Sequence, residues 1–122
     1  MDVLQVESRQ GDYNVIAEPG SVARLGEILE AQRTPTPRSV VSNTTVAPLW
    51  AKTAAASIDA PLMELADGEE HKRWPTVEGL LSSWLETGLH RKDSVAAVGG
   101  GVLTDTVGFG GFLLTAKLVL GL

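Results

Sequence analysis

Residues 99–105, Gly99-Gly100-Gly101-Val102-Leu103-Thr104-Asp105, have the types and spacing of a phosphate cradle. They follow a short apolar run, Ser94 to Val98, that reads as a buried strand, and they precede a segment that reads as a helix. Without Cβ atoms the glycine backbone can bring its N–H groups close to a diphosphate, and the start of a helix favours negative charge. A bare structural turn has no need of Asp105, just inside that helix. A second polar cluster, Asp67-Gly68-Glu69-Glu70-His71-Lys72, gathers carboxylates, a histidine and a lysine in one loop. Taken alone it reads as a solvated turn with a local ion pair of little energetic weight. His71 and His90 read as surface histidines, because neither stands at metal-ligand spacing from a second donor.

The elements that must position these groups alternate along the chain. Two strand-like runs, Val3 to Glu7 and Tyr13 to Glu18, are joined by a hairpin-type connection. Pro19-Gly20-Ser21 stops the second run and offers Ser21 as an N-cap for a helix carrying Val22, Leu25, Ile28 and Leu29. Pro35 and Pro37 mark a loop before a brief strand, Ser39 to Ser42. A helix is expected from about Asn43-Thr44-Thr45 to about Ser57, with Pro48 tolerated in its first turn. Pro61 to Leu65 reads as another strand. Val77, Leu80, Leu81, Trp84 and Leu85 then give the strongest helical stripe, opened by Pro75 and closed by Gly88 as its C′ residue. Trp50 and Trp84 read as core and interface packing, and Trp74 as a staple at a helix start.

This alternation predicts an α/β, Rossmann-like domain: a mostly parallel sheet with helices on both faces and an N-terminal β-hairpin. In such sheets ligands bind beyond the carboxyl ends of the strands. The loops at 42–45, 66–72 and 99–105 all follow strands, so they converge on one edge.

At 122 residues the chain has the length of one domain. Its net charge of −5, without a Lys/Arg cluster, argues against a nucleic-acid surface. The absence of cysteine excludes a disulfide framework and a thiolate zinc site, and fits a reducing cytoplasm. No apolar run reaches transmembrane length, and Met1-Asp2-Val3-Leu4-Gln5 lacks the pattern of a signal peptide.

Three motifs in order make this chain resemble the N-terminal, dinucleotide-binding domain of the 3-dehydroquinate synthase family, which includes the related sugar-phosphate cyclases. They are the segment from Val41 through Asn43 to Trp50, the charged loop from Asp67 to Lys72, and the run from Gly99 to Phe109. The likeness extends from about residue 2 to about residue 112. It implies that NAD lies across the carboxyl edge of the sheet. Glu69 and Lys72 would contact the cofactor, Asn43 its adenosine ribose, and Gly100, Gly101, Val102, Leu103 and Thr104 its diphosphate. Asp105 would hydrogen-bond on the nicotinamide side. Asp67, Gly68, Glu70 and His71 join the cofactor-binding candidates as the remainder of the charged loop. The family reaction converts a heptulosonate 7-phosphate to 3-dehydroquinate with loss of phosphate, in the shikimate pathway. It is assisted by NAD and by a divalent metal, zinc or cobalt.

The chain departs from the family pattern in places. Thr104 stands where glycine is usual, Asn43 where aspartate is frequent, and Thr45 where asparagine is frequent. From Gly110 to Leu122 the sequence is nearly all apolar and lacks the family's Arg-Gly turn, so 110–122 reads as an atypical tail on a single NAD-binding domain. The family's metal ligands, one glutamate and two histidines, belong to a second domain that this chain does not include. The expectation is therefore a truncated or fragmentary chain, inactive by itself, with NAD and, in the full enzyme, a heptulosonate phosphate as partners; a homodimer is left open. Two alternatives stand beside it. One is the cofactor domain of an iron-dependent alcohol or glycerol dehydrogenase, which shares a Gly-Gly-Gly-x-x-x-Asp loop. The other is a non-catalytic nucleotide-binding module or a truncated relic.

Overall fold

Five consecutive residues with no exposed side chain, Ser39–Asn43, form the strand β3 around which the chain is organised. A strand buried on both faces needs a neighbour on each side and helices above and below. The computed structural model describes residues 2–9, 11–66, 74–90, 92–101 and 103–108 and supplies all of these. The strand β4 (Leu62–Leu65) and the strand β5 (Val95–Val98) flank β3 in the order β4-β3-β5. Both pairings are parallel, with Val41 beside Met63 on one side and beside Ala97 on the other. The hairpin of β1 (Asp2–Val6) and β2 (Tyr13–Ala17) forms its own antiparallel two-stranded sheet, with Leu4 opposite Val15.

The pleat sorts the side chains. Val41, Met63, Leu65, Val95 and Ala97 face a core made with Leu80 and Trp84 of α3 (Trp74–Glu86), Leu89, and Leu103 and Val107 of the helical stretch 103–108. The alternate positions, Val40, Ser42, Ala96 and Val98, face the other way. On that side α2 (Lys52–Ile58) packs against β3 and against α1 (Leu25–Ala31). Helices thus cover both faces of a parallel sheet beside an N-terminal hairpin, which is the Rossmann-like arrangement anticipated from the alternation.

Local chemistry moves several boundaries. Gly20, not Ser21, caps the first helical turn, at φ 76°, a left-handed conformation that favours glycine. Ser21–Arg24 then forms a tight 3-10 turn leading into α1. The helix expected from residue 43 begins as a widened, π-type turn over Ala47–Ala51 before becoming α2. The widening lies in the bond from the Lys52 N–H to the carbonyl of Ala47, five residues back, while Pro48 takes the first-turn place expected of it. Gly88 lies at φ 77° beyond α3, in the C′ role assigned to it. Trp84 is buried, whereas Trp50 is 57% exposed. Of the five stripe positions in α3, Leu85 alone is exposed, at the margin of the buried face.

Candidate functional site

The strand order determines where a ligand can sit. The chain passes from β3 to β4 on one side, then crosses back to β5 on the other, so the direction of winding reverses at β3. A doubly wound sheet opens a crevice at that reversal, beyond the carboxyl ends of the two strands concerned. Here these ends carry Asn43-Thr44-Thr45-Val46 after β3 and Gly99-Gly100-Gly101 after β5.

Asn43 is buried, and its side-chain oxygen accepts the backbone N–H of Thr45 at 3.1 Å and of Val46 at 2.7 Å. It thereby caps the turn that leads into the π-type segment, a use of asparagine that satisfies otherwise orphaned donors. The Thr44 N–H donates to the carbonyl of Leu65 at 2.9 Å, tying the end of β3 to the end of β4. The third strand end is tied by Ser42, a fully buried side chain whose hydroxyl donates to the carbonyl of Val98 at 2.7 Å.

The glycine loop is open to solvent. Among the described residues, a Cβ placed on Gly100 or Gly101 would meet nothing within 4 Å, so none of them fills the space above either backbone. Gly99 differs: a Cβ there would stand 2.7 Å from Cδ2 of Leu103, so only glycine lets the strand end lie against the following helical stretch. Leu103 itself is 6% exposed and belongs to the core, leaving its backbone as the part it can offer a ligand. Thr104 closes the loop from the far side. Its N–H donates to the carbonyl of Gly100 at 3.1 Å, and its hydroxyl donates to the carbonyl of Gly101 at 3.1 Å. Asp105 is exposed on the same stretch, while Thr106 and Val107 turn inward.

Asn43 at the end of β3, and Gly100, Gly101, Thr104 and Asp105 in the turn and helical stretch after β5, therefore lie at one edge of the sheet. The charged loop, Asp67, Gly68, Glu69, Glu70, His71 and Lys72, lies outside the described residues, as do Val102 and Phe109; β4, which leads into that loop, ends at the same edge. Among the described residues no group of three or more His, Cys, Asp or Glu side chains is placed to hold a metal ion. No helix among them is long and apolar enough to cross a membrane. The residue that sequence reasoning passed over is Ser42. Its only signal was a hydroxyl next to Asn43 at the end of the strand.

Two cavities flank the sheet. One, of about 290 Å³, is walled by Ile16, Leu25, Ile28, Ala54 and Val98, between the hairpin and the α1–α2 side of the sheet. The other, of about 430 Å³, lies at the opposite, amino end of the strands, beside Arg38, Asp59 and Pro61. Neither is lined by the glycine loop itself.

A family profile described as 3-dehydroquinate synthase N-terminal matches residues 62–115, which take in both the charged loop and the glycine loop. The 3-dehydroquinate synthase of Pelotomaculum thermopropionicum is 35% identical over 114 residues, covering 89% of this chain and 31% of that protein. Those of Bordetella pertussis and Neisseria meningitidis are 36% and 31% identical over similar spans. The chain thus spans about a third of the length of these relatives. Among solved structures, a 2-deoxy-scyllo-inosose synthase superposes with a TM-score of 0.75 at 19% identity, over 98% of this chain and 33% of the other. A second structure of such an enzyme, complexed with carbaglucose-6-phosphate, NAD+ and Co2+, superposes with a TM-score of 0.71 at 22% identity. At these identities the superpositions speak for the fold.

Proposed function

The chain belongs to the 3-dehydroquinate synthase family, and from that premise we propose that it is the NAD-binding N-terminal domain of a sugar-phosphate cyclase. The observation that carries this reading is the reversal of winding at β3, which sets the glycine loop after β5 beside the carboxyl end of β3. There an exposed glycine backbone stands braced, with no described residue over Gly100 or Gly101, at the point where a doubly wound sheet takes its ligand. Gly100 and Gly101 would approach the diphosphate through their N–H groups, with Val102, Leu103 and Thr104 completing the cradle by backbone. The Asn43 amide, held in place by the turn it caps, would face the adenosine ribose. Asp105 would accept on the nicotinamide side. Glu69 and Lys72 would close the cofactor from the charged loop, the lysine as a point charge beside diphosphate oxygens.

NAD supplies hydride acceptance and return when bound; this chain's residues bind and orient it. In the full-length enzyme that cofactor would serve conversion of a heptulosonate 7-phosphate to 3-dehydroquinate with loss of phosphate. The divalent metal of that reaction finds no ligand set among the described residues. We assign it to the part of the full enzyme beyond this chain, so this chain by itself is expected to bind without turning over.

Calorimetric titration with NAD tests the reading directly. Saturable binding is expected, at least tenfold weaker in Lys72→Ala and in Asp105→Ala. If a chain that circular dichroism shows to be folded takes up no NAD, the site is not pre-formed in this domain and the reading fails for the chain alone.

A further inference from the structure

On the cofactor reading just proposed, we infer that Ser42 is a positioning residue for the diphosphate cradle: its buried hydroxyl fixes the strand end from which the glycine loop departs. Ser42 and Val98 are register partners across the β3–β5 ladder, the last pair before the carboxyl edge of the sheet. Val98 is the last residue before Gly99-Gly100-Gly101. Three glycines have no side chains with which to hold their own conformation, so the direction of their N–H groups depends on how the loop is anchored at each end. Thr104 anchors the far end through its two bonds to the Gly100 and Gly101 carbonyls. At the near end the side-chain anchor is the 2.7 Å bond from Ser42 to Val98.

That bond is sheltered. Ser42 is 0% exposed, so water cannot replace its hydroxyl if it is removed, and the Val98 carbonyl would lose a partner inside the protein. Because Gly99 lies tight against Leu103, a shift of Val98 carries into the start of the helical stretch as well as into the loop. Binding by backbone N–H groups is sensitive to such shifts, since a donor that must reorient spends part of its interaction on ordering the loop.

The test compares Ser42→Thr with Ser42→Val, side chains of nearly equal volume that differ by the hydroxyl. Ser42→Ala serves as a third variant that only removes atoms, in case the larger pair does not fold. Each full chain is titrated with NAD and with ADP, and the exchange rates of the Gly99, Gly100 and Gly101 amides are read by NMR. The expected result is about a tenfold loss of affinity for both ligands in Ser42→Val and Ser42→Ala, with affinity near the parent value in Ser42→Thr. Loop amide exchange should accelerate several-fold in the same two variants and recover in Ser42→Thr. Equal losses in Ser42→Thr and Ser42→Val would reduce Ser42 to a packing residue and overturn the inference. So would loop amides that exchange at parent rates in Ser42→Ala, or accelerated exchange with affinity unchanged. If the parent chain binds neither NAD nor ADP, the cofactor reading fails for this domain. The exchange rates then still decide whether Ser42 holds the loop.

Discussion

Gly26 and Gly79 show how differently one residue type can be used in two helices. A Cβ at Gly26 in α1 would stand 2.9 Å from the carbonyl oxygen of Ser57, at the end of α2, whose hydroxyl also accepts the Gly26 N–H at 3.0 Å. α1 can approach α2 this closely only without a side chain there. Gly26→Ala is therefore expected to destabilise the fold by about 1–3 kcal/mol, the usual range for overpacking. At Gly79, mid-way through α3 and exposed, a Cβ would meet nothing within 4 Å. Gly79→Ala is expected to stabilise by about 0.5–1 kcal/mol, through the helix propensity that glycine forfeits. Urea denaturation of the two variants should move the midpoint in opposite directions; a shared direction would contradict the α1–α2 contact. Asn43 makes a third case. Its expected role was at a ribose, yet its oxygen is already engaged with Thr45 and Val46. Asn43→Ala should cost about 0.5–2 kcal/mol of stability without any ligand present, and Asn43→Asp, which keeps the accepting oxygen, should cost much less.

At the end of the sheet remote from the proposed site, one side chain joins several elements. Arg38, just before β3, donates to the carbonyl of Gly88 at 3.3 Å, to Oδ2 of Asp93 at 3.1 Å and to the carbonyl of Thr87 at 3.4 Å. The same Asp93 oxygen accepts the His90 N–H at 2.8 Å. The His90 backbone donor first, and the Arg38 guanidinium after it, hold the Asp93 carboxyl below its ordinary value of 3.8. A carboxylate with a depressed folded-state pKa contributes stability that is fully present above the unfolded value. That contribution is lost as pH falls through the folded value. Asp93→Asn should therefore lower stability by a constant amount above about pH 5, with the difference from the parent shrinking below pH 4. Thermal melts between pH 3 and pH 7 decide it, and a gap that widens on acidification would refute the assignment. This knot also marks the limit of what could be read in advance. The strands and helices were legible because periodicity and punctuation are local, and the glycine loop because three consecutive glycines are rare. The Arg38 tie and the Ser42 bond join residues more than fifty positions apart. They depend on which strands become neighbours, and nothing local in the sequence states that. The cap at Gly20 was missed for a smaller reason: Ser21 had a conventional helix-start role at hand, and the backbone took another.

Across the whole molecule, stability is distributed unevenly. β3 is paired on both sides and covered on both faces, with Val40 and Val41 at 0% exposure. The hairpin shares no ladder with that sheet, and the Asn14 side chain of β2 ties it to the end of α1 by donating to Oε1 of Gln32. Val3, Leu4, Tyr13 and Val15 are between 46% and 64% exposed, and Ile16 borders the α1–α2 side through the 290 Å³ cavity. A two-stranded hairpin with an open apolar face is marginal in water, so its closure rests on its own ladder and these few contacts. Local opening follows such differences, with protection reaching the global value only where backbone bonds and burial coincide. Native-state hydrogen exchange should therefore find the β1 and β2 amides opening well below the global unfolding free energy, and the Val40 and Val41 amides opening with it. Since β3 carries Ser42 and Asn43, the proposed site stands on the part of the chain that opens last. Adding NAD, which by linkage favours whatever state binds it, should raise the protection of β3, β5 and the glycine loop and leave the hairpin's opening free energy nearly unchanged. At a hundredfold excess over Kd the rise would be about 2.7 kcal/mol for amides that exchange through global unfolding. If hairpin protection rises by as much, the hairpin opens with the sheet and the two form one cooperative unit, contrary to the division drawn from their separate ladders.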